Sequence, residues 1–426
     1  MIKTPLRPYQ SEAVEKAMGH DGFALYLEQR TGKTLTALAV VDQRKPQLLV
    51  IVCPKKAIRV WEAEIKKHMT IDWPMKHLLI NYESVINRSL RKKIRLLCLK
   101  YRSMVILDES HRIKRRGSRA SRSCRVLGRA CDWRLALTGT PIAQGLHDAW
   151  AQYDFLDPLI FGEWSHFEER YCIKGGFKGR QITDYRNREH FEHLFHQYSY
   201  RKTLREARKE GGKKAVIIRR IVRKVELEPP ARQAYNELER DLITLVRQKT
   251  IETPLVITLV MKLQQIAGGF IKDEDGEVIQ VGSEKLDKFE TVVQEFQGKA
   301  VVCVRFIHEA TALEELLTRL GKTHITIKGG VEWDGTFHHD VTILQIQSGV
   351  AIDLSAAEII IFYSWDYSYI NYEQARFRVL SYDQTRVTYV YLMAEDSIDL
   401  QIYEAITRKK NLATLICDHY RHRRPR

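Results

Sequence analysis

Two short runs hold side chains suited to handling phosphate and a divalent cation. The first is YLEQRTGKT, residues 26–34, where Gly32, Lys33 and Thr34 stand between an apolar run and a helical pattern. Such a turn offers backbone N–H groups and a helix N-terminus to phosphate oxygens. Lys33 would reach the outer phosphates of a nucleoside triphosphate, and Thr34 would ligate Mg2+. The second run, MVILDESH, residues 104–111, is an apolar strand delivering Asp108 and Glu109 at its C-terminal end. Open α/β sheets place ligand chemistry there. Asp108 can hold Mg2+ through its waters, and Glu109 can orient an attacking water. Jointly the runs imply hydrolysis of a nucleoside triphosphate. One feature departs from the usual spacing G-x-x-x-x-G-K-[ST], because Leu27 stands where a glycine is asked for.

A parallel sheet has to position these groups. FALYL (23–27), LLVIVCP (48–54), MVIL (104–107) and RLALTG (134–139) are continuous apolar runs that alternate with helical patterns. That alternation predicts a parallel α/β sheet buried on both faces. From about 145 the pattern turns helical, in LHDAWAQYDFLDPLIFGEW, PARQAYNELERDLITLVRQ and ITLVMKLQQIAGGF. Strands resume with AVVCVRF (300–306), and THITIKG, VTILQI, EIIIFYSW and TYVYLM complete a second α/β set. We expect two α/β lobes at 1–144 and 283–426, with helical insertions and an inter-lobe segment at 145–282.

Composition narrows the partner. The 426 residues carry a formal net charge of +16, a field that favours polyanions. Residues 112–129 hold eight Lys or Arg and no acid, and residues 201–224 hold eleven against two Glu. Solvated helix faces usually mix signs, so near-pure basic blocks point to nucleic acid. Seven cysteines are scattered without a C-x-x-C pair, as reduced intracellular thiols would be. The longest apolar runs are strand-length, too short to span a bilayer, and the N-terminus shows no secretory h-region. No membrane partner is expected. Trp61, on an amphipathic helix, is expected in the core.

The Asp-Glu-x-His run resembles the Walker B element of helicase superfamily 2, and its neighbours resemble that superfamily's Swi/Snf-type DNA translocases. LRPYQ (6–10) is similar to the family's first motif. LVIVCPKKAIRVWEAEI resembles motif Ia, INYES (80–84) motif Ib, and ALTGTPI (136–142) motif III. YDFLDPLIFG (153–162), SEKLDKF (283–289) and SWDYSYINYEQARFRVL (364–380) follow in the family's order. The resemblance runs from Leu6 to about Glu404. Family members typically read D-E-M-G-x-G-K-T in the phosphate loop, so position 27 needs no glycine. Arg30 departs instead, standing where glycine is common.

The resemblance implies two tandem RecA-like lobes with ATP and Mg2+ in their cleft. Arg7 and Gln10 would meet the adenine region, while Arg30, Thr31, Gly32, Lys33 and Thr34 would line the phosphate cradle. Thr34 and Asp108 would hold the metal. Lys33, Asp108, Glu109, Gln374 and Arg378 would carry hydrolysis, with Arg378 as the arginine finger. Lys55, Lys56, Arg112, Lys114, Arg115 and Arg116 would contact nucleic-acid backbone. His111, Thr138, Thr140 and Gly349 would couple the two events. The implied activity is ATP-dependent translocation or strand separation on duplex, forked or branched DNA. The expected setting is a monomer in the cytoplasm of a bacterial or phage-infected cell, or in the nucleus of a eukaryote. No chromatin-reading, nuclease or zinc module is recognisable, which favours work at forks over nucleosome remodelling.

Two motifs fray. SGVAIDL (348–354) keeps Gly349 and Leu354 of a motif V that resembles G-G-x-G-L-N-L, and Ser381 replaces the second arginine of motif VI. Ser381, with Ala351 and Asp353 in motif V, keeps open an ATP-binding DNA clamp with little turnover; a separate alternative changes the substrate, an RNA-dependent ATPase of the same superfamily. Arg376, near the finger, is expected as an exposed helix charge. The aromatics of 362–372 are expected to pack at the lobe interface.

Overall fold

A computed structural model describes residues 1–175, 181–247, 253–273, 275–328, 338–347, 353–408 and Leu415. The chain divides into two compact units, Met1–Ala215 and Val216–Arg426. The first is built on strands β1 (Gly22–Leu27), β2 (Leu48–Cys53), β3 (Lys76–Asn81), β4 (Ser103–Asp108) and β5 (Trp133–Leu137). A hairpin of β6 (Cys172–Gly175) and β7 (Gln181–Tyr185) follows, then β8 (Ser199–Lys202). The sheet is parallel throughout, in the order β3-β2-β4-β5-β1-β8. β1 and β2 are buried along their whole length, which explains why their sequences are apolar runs rather than alternating ones.

The second unit repeats the plan. Its strands are β9 (Ile217–Val225), the hairpin β10 (Phe270–Lys272) and β11 (Val278–Gln280), β12 (Ala300–Val304), β13 (His324–Ile327), β14 (Val341–Gln345), β15 (Ile359–Phe362) and β16 (Arg386–Ala394). The main sheet runs β13-β14-β12-β15-β16-β9, again parallel. The fold is thus α/β with two parallel-sheet lobes. Among the described residues no helix is long and apolar enough to cross a membrane.

The stretch expected to be helical and to lie between the lobes is shared by both. Helices Trp150–Leu156, Trp164–Tyr171 and Arg188–Gln197 bury Tyr153, Phe167, Tyr171, Phe191 and Phe195 in the first unit's core. β8 then pairs with β1, and β9 with β16. Helix Thr253–Ala267 belongs to the second unit, where the Gln264 amide donates to the Trp365 carbonyl at 2.8 Å. β8 and β9 are edge strands, and β9 reads IIRRIVRKV with most side chains open to solvent. Basic residues protect such edges from stray pairing. The same residues break the apolar run by which a strand is recognised.

Of the aromatics of 362–372, Phe362, Tyr363, Trp365 and Tyr372 are buried within the second unit, while Tyr367 and Tyr369 are half-buried. Trp365 is fully buried, with Phe362, Tyr372, Tyr391 and Tyr403 as ring partners. Nearby, Lys285 and Asp399 form an ion pair of 2.7 Å at 1% and 0% side-chain exposure, and the Ala394 N–H also donates to Asp399. Removing one partner strands a charge in the core, at a cost of about 3–5 kcal/mol. We expect Lys285→Met to lower the second unit's stability by about that amount in chemical denaturation. Lys285→Met with Asp399→Leu should recover most of the loss.

Candidate active site

β1 ends at the phosphate loop, and the loop's shape is set by its backbone. Arg30 has φ +67° and Gly32 φ +78°, both left-handed, before the helix Lys33–Arg44 begins. A Cβ on Gly32 would lie 2.4 Å from the Gln10 amide nitrogen. That amide donates to the carbonyls of Thr31 (3.2 Å) and Gly32 (3.4 Å), while Gln10 Oε1 accepts from the Arg7 N–H at 2.9 Å. The Tyr9 hydroxyl adds a bond to the Thr31 carbonyl at 2.8 Å. Gln10 is 2% exposed; its amide nitrogen holds the loop, while its amide oxygen caps the start of its own helix at Arg7. The Thr31 side chain faces inward, donating to the Glu28 carbonyl at 2.6 Å. Lys33 and Thr34 stay half-exposed at the helix start.

Two strands over, β4 delivers the acidic pair. Asp108 Oδ2 accepts from the Trp61 indole N–H at 2.9 Å, and Oδ1 from the Glu109 backbone N–H at 3.0 Å. The Tyr82 hydroxyl donates to the Asp108 carbonyl at 2.7 Å. Glu109 sits in the left-handed region, φ +53°. Burial raises the Asp108 carboxyl, and the adjacent Glu109 charge raises it further, against the pull of Lys33 and the indole. Burial also acts on Glu109, but Lys33, His111 and Arg112 outweigh it and hold Glu109 below the ordinary range. One carboxyl is thus kept ionised and its neighbour is destabilised as an anion, the state a cation would relieve. The oxygens of Thr34 and Asp108 suit Mg2+, which takes one or two protein groups and fills its shell with water and phosphate.

His111 links this pair to the next strand. Its Nδ1 lies 3.3 Å from Glu109 Oε2 and 3.0 Å from Thr138 Oγ1, and Thr138 in turn accepts the Thr140 N–H at 3.1 Å. Two residues the sequence did not flag fix the loop after β5. Gln152 accepts from Ser110 at 2.7 Å and donates to the Pro141 carbonyl at 2.9 Å. Asp148 accepts the Ala143 and Gln144 N–H groups at 2.9 and 2.7 Å. Trp61, read as core, is indeed 2% exposed, yet its polar edge is spent on Asp108. The apolar spacing that marked it as core carries no signal of that bond.

The basic residues divide by exposure. Lys55, Lys56, Arg112, Arg115 and Arg116 are exposed and Lys114 is half-buried. Arg112 lies near Glu83 and over the Tyr82 ring, and Arg116 stacks on Trp164. The far end of the block is structural instead, with Arg125 and Arg129 both paired to the buried Asp154.

In the second unit, Gln374 and Arg378 lie on the helix Tyr369–Arg378. Gln374 is half-buried, while Arg378 is 6% exposed, in its own unit's interior. Arg376 is not the exposed charge expected. It pairs with Glu373 and lies over the Tyr372 and Tyr389 rings. Ser381, in the second arginine slot, accepts the Gln384 N–H at 3.0 Å and so closes a turn. Gly349 lies outside the described residues.

Residues 75–268 match the sequence profile described as the SNF2-related domain. An uncharacterised ATP-dependent helicase of Mycoplasma genitalium is 25% identical over 458 residues, covering 97% of this chain and 42% of that protein. The human DNA annealing helicase and endonuclease ZRANB3 is 23% identical, covering 96% of this chain and 40% of its own. The chain therefore spans about two fifths of the length of these curated relatives. Among solved structures, the Sulfolobus solfataricus SWI2/SNF2 ATPase core in complex with dsDNA aligns at a TM-score of 0.45 and 18% identity, covering 98% of this chain and 93% of that one.

Arg30 gives a local test of the loop. A left-handed backbone costs a side-chain-bearing residue roughly 1–2 kcal/mol, and glycine nothing comparable. We expect Arg30→Gly to be more stable than Arg30→Ala by about 1 kcal/mol in thermal unfolding, since both lose the same guanidinium.

Proposed function

We propose, from the premise that the chain is an SNF2-type member of helicase superfamily 2, that it hydrolyses ATP to translocate along DNA. The observation that carries this reading is the half-buried Asp108–Glu109 pair at the end of β4, with the charge of Lys33 favouring the ionised form of both carboxyls. Lys33 and the loop N–H groups would hold the triphosphate, with Thr34 and Asp108 supplying protein oxygens to Mg2+. The metal, when bound, would neutralise charge on the phosphate oxygens. Glu109, kept ionised, would orient the attacking water and accept its proton. Arg7 would contribute near the adenine, and Arg30 a second positive charge at the phosphates. Arg378, with Gln374, is the second unit's candidate for stabilising the transferred phosphoryl, which requires its guanidinium to turn out of the interior.

DNA is the proposed polyanion because relatives of this chain are named for work on DNA and because Lys55, Lys56, Arg112, Arg115 and Arg116 stand exposed in the same unit. Such contacts read backbone rather than base sequence. His111, Thr138 and Thr140 would pass the state of Glu109 to the loop after β5. Duplex, forked and branched forms all fit this mode. We further propose a monomer, acting in the cytoplasm of a bacterial or phage-infected cell, or in the nucleus of a eukaryote.

ATP turnover measured with duplex, single-stranded and forked DNA, and with RNA, tests the proposal. DNA should raise turnover strongly, Lys33→Ala should abolish it, and binding should weaken steeply with salt. Stimulation by RNA alone would overturn the DNA assignment. DNA binding with no turnover would make the chain a clamp. Arg378→Ala should lose on the order of 10³-fold or more in kcat. Arg376→Ala should lower stability more than turnover, because Arg376 is packed against Tyr372 and Tyr389. Full activity of Arg378→Ala would remove it from the finger role.

A further inference from the structure

Trp61 lies on the helix Ala57–His68, and its indole N–H donates to Asp108 Oδ2 at 2.9 Å with the ring 2% exposed. A buried indole needs an acceptor somewhere, so the bond alone would be unremarkable. Its acceptor is what matters. Asp108 Oδ1 is taken by the Glu109 N–H at 3.0 Å, and the Asp108 carbonyl by the Tyr82 hydroxyl at 2.7 Å. A carboxylate offers about four lone-pair sites, and these bonds occupy one on each oxygen. Two donors on opposite oxygens fix the carboxylate's rotation about Cβ–Cγ, and the Tyr82 bond fixes the peptide beneath it. The indole donor comes from a separate element, the helix Ala57–His68, so it sets the carboxylate's direction independently of the local backbone that carries Asp108 and Glu109.

We infer that Trp61 is a positioning residue for the metal-bearing carboxylate, setting the direction in which Asp108 presents its remaining lone pairs toward Mg2+ and the phosphate loop. The inference rests on the nucleotide-hydrolysis reading above. Trp61 touches neither nucleotide nor reacting water. It acts through Asp108, as groups behind metal ligands commonly do, where their loss costs 10–100-fold in metal affinity.

The test is the Mg2+ dependence of ADP binding, followed by calorimetry with the full chain. Trp61→Phe keeps an aromatic ring in the core and removes only the donor. It should raise the Mg2+ concentration for half-maximal ADP binding by about tenfold or more. ADP binding in EDTA should stay within about twofold of the unmodified chain. An unchanged Mg2+ requirement, or equal weakening with and without metal, would make Trp61 a packing residue and overturn the inference. Should Trp61→Phe fail to fold, the Trp61 indole N–H resonance of the unmodified protein decides. It should move on adding Mg2+ to the ADP-bound protein and stay in place with ADP and EDTA, and no movement overturns the inference. Absence of any Mg2+-dependent ADP binding by the unmodified chain would overturn the nucleotide reading itself, and this inference with it.

Discussion

Two carboxylates on consecutive residues, both half-buried at the end of β4, are the constraint around which the first unit is arranged. Like charges so close in a poorly solvated site cannot both ionise at ordinary cost. Positive charge or donors must come from several directions, and the sheet order supplies them. Placing β5 between β4 and β1 brings the phosphate loop and Lys33 to the same sheet edge. His111 and Arg112 come from the turn just after the pair, and the Trp61 indole from the helix after β2. The asymmetry of these neighbours separates the two acids. Glu109 receives most of the positive field and stays ionised, while Asp108 remains the one an added cation would stabilise.

The phosphate loop obeys a matching constraint on the backbone. Two left-handed residues, Arg30 and Gly32, turn the chain from strand to helix within five residues. Such a turn holds its shape only if its carbonyls are occupied, since N–H groups directed at a ligand leave them otherwise unpaired. Gln10 and Tyr9 meet that need from the first helix. The sequence resemblance assigns Gln10 to the adenine region, whereas the geometry shows it bracing the loop from behind. Glycine at 32 is required by the approach of Gln10 as well as by φ.

Legibility in the sequence followed burial. The central strands are apolar on both faces, so FALYL, LLVIVC and MVIL could be read directly, as could the acidic pair and Gly32-Lys33-Thr34. β3, β8 and β9 give no apolar run, because part of each meets solvent and carries Lys, His or Arg there. For the same reason the boundary between units falls at Ala215 instead of at the ends of a helical insert. The roles of Trp61, Gln152 and Asp148 escaped because they rest on hydrogen bonds set by tertiary placement, and no spacing rule encodes those. Arg376 looked like a surface charge because an arginine on a helix gives no sequence signal of its partners, here Glu373 and the Tyr372 ring beside the Tyr389 ring. Its burial comes from Tyr389 on β16, remote in sequence.

The 69 lysines and arginines also mean something narrower once the side chains are placed. Some are structural: Arg125 and Arg129 share Asp154, Lys202 meets Glu210, Lys285 meets Asp399, and Arg376 meets Glu373. Cations used this way contribute little to a polyanion's field, because each has an acid within one Debye length. What remains exposed in the first unit includes Lys55 and Lys56 after β2, and Arg112, Arg115 and Arg116 after β4. Both groups follow the C-terminal ends of strands that also present the acidic pair and its indole partner. The Arg112 guanidinium lies over the ring of Tyr82, whose hydroxyl holds the Asp108 carbonyl. A phosphate drawn to Arg112 would therefore act one side chain away from the carboxylate proposed to hold the metal. The proposed stimulation of hydrolysis by DNA would then need no long-range relay within this unit, only a small shift in a contact already made.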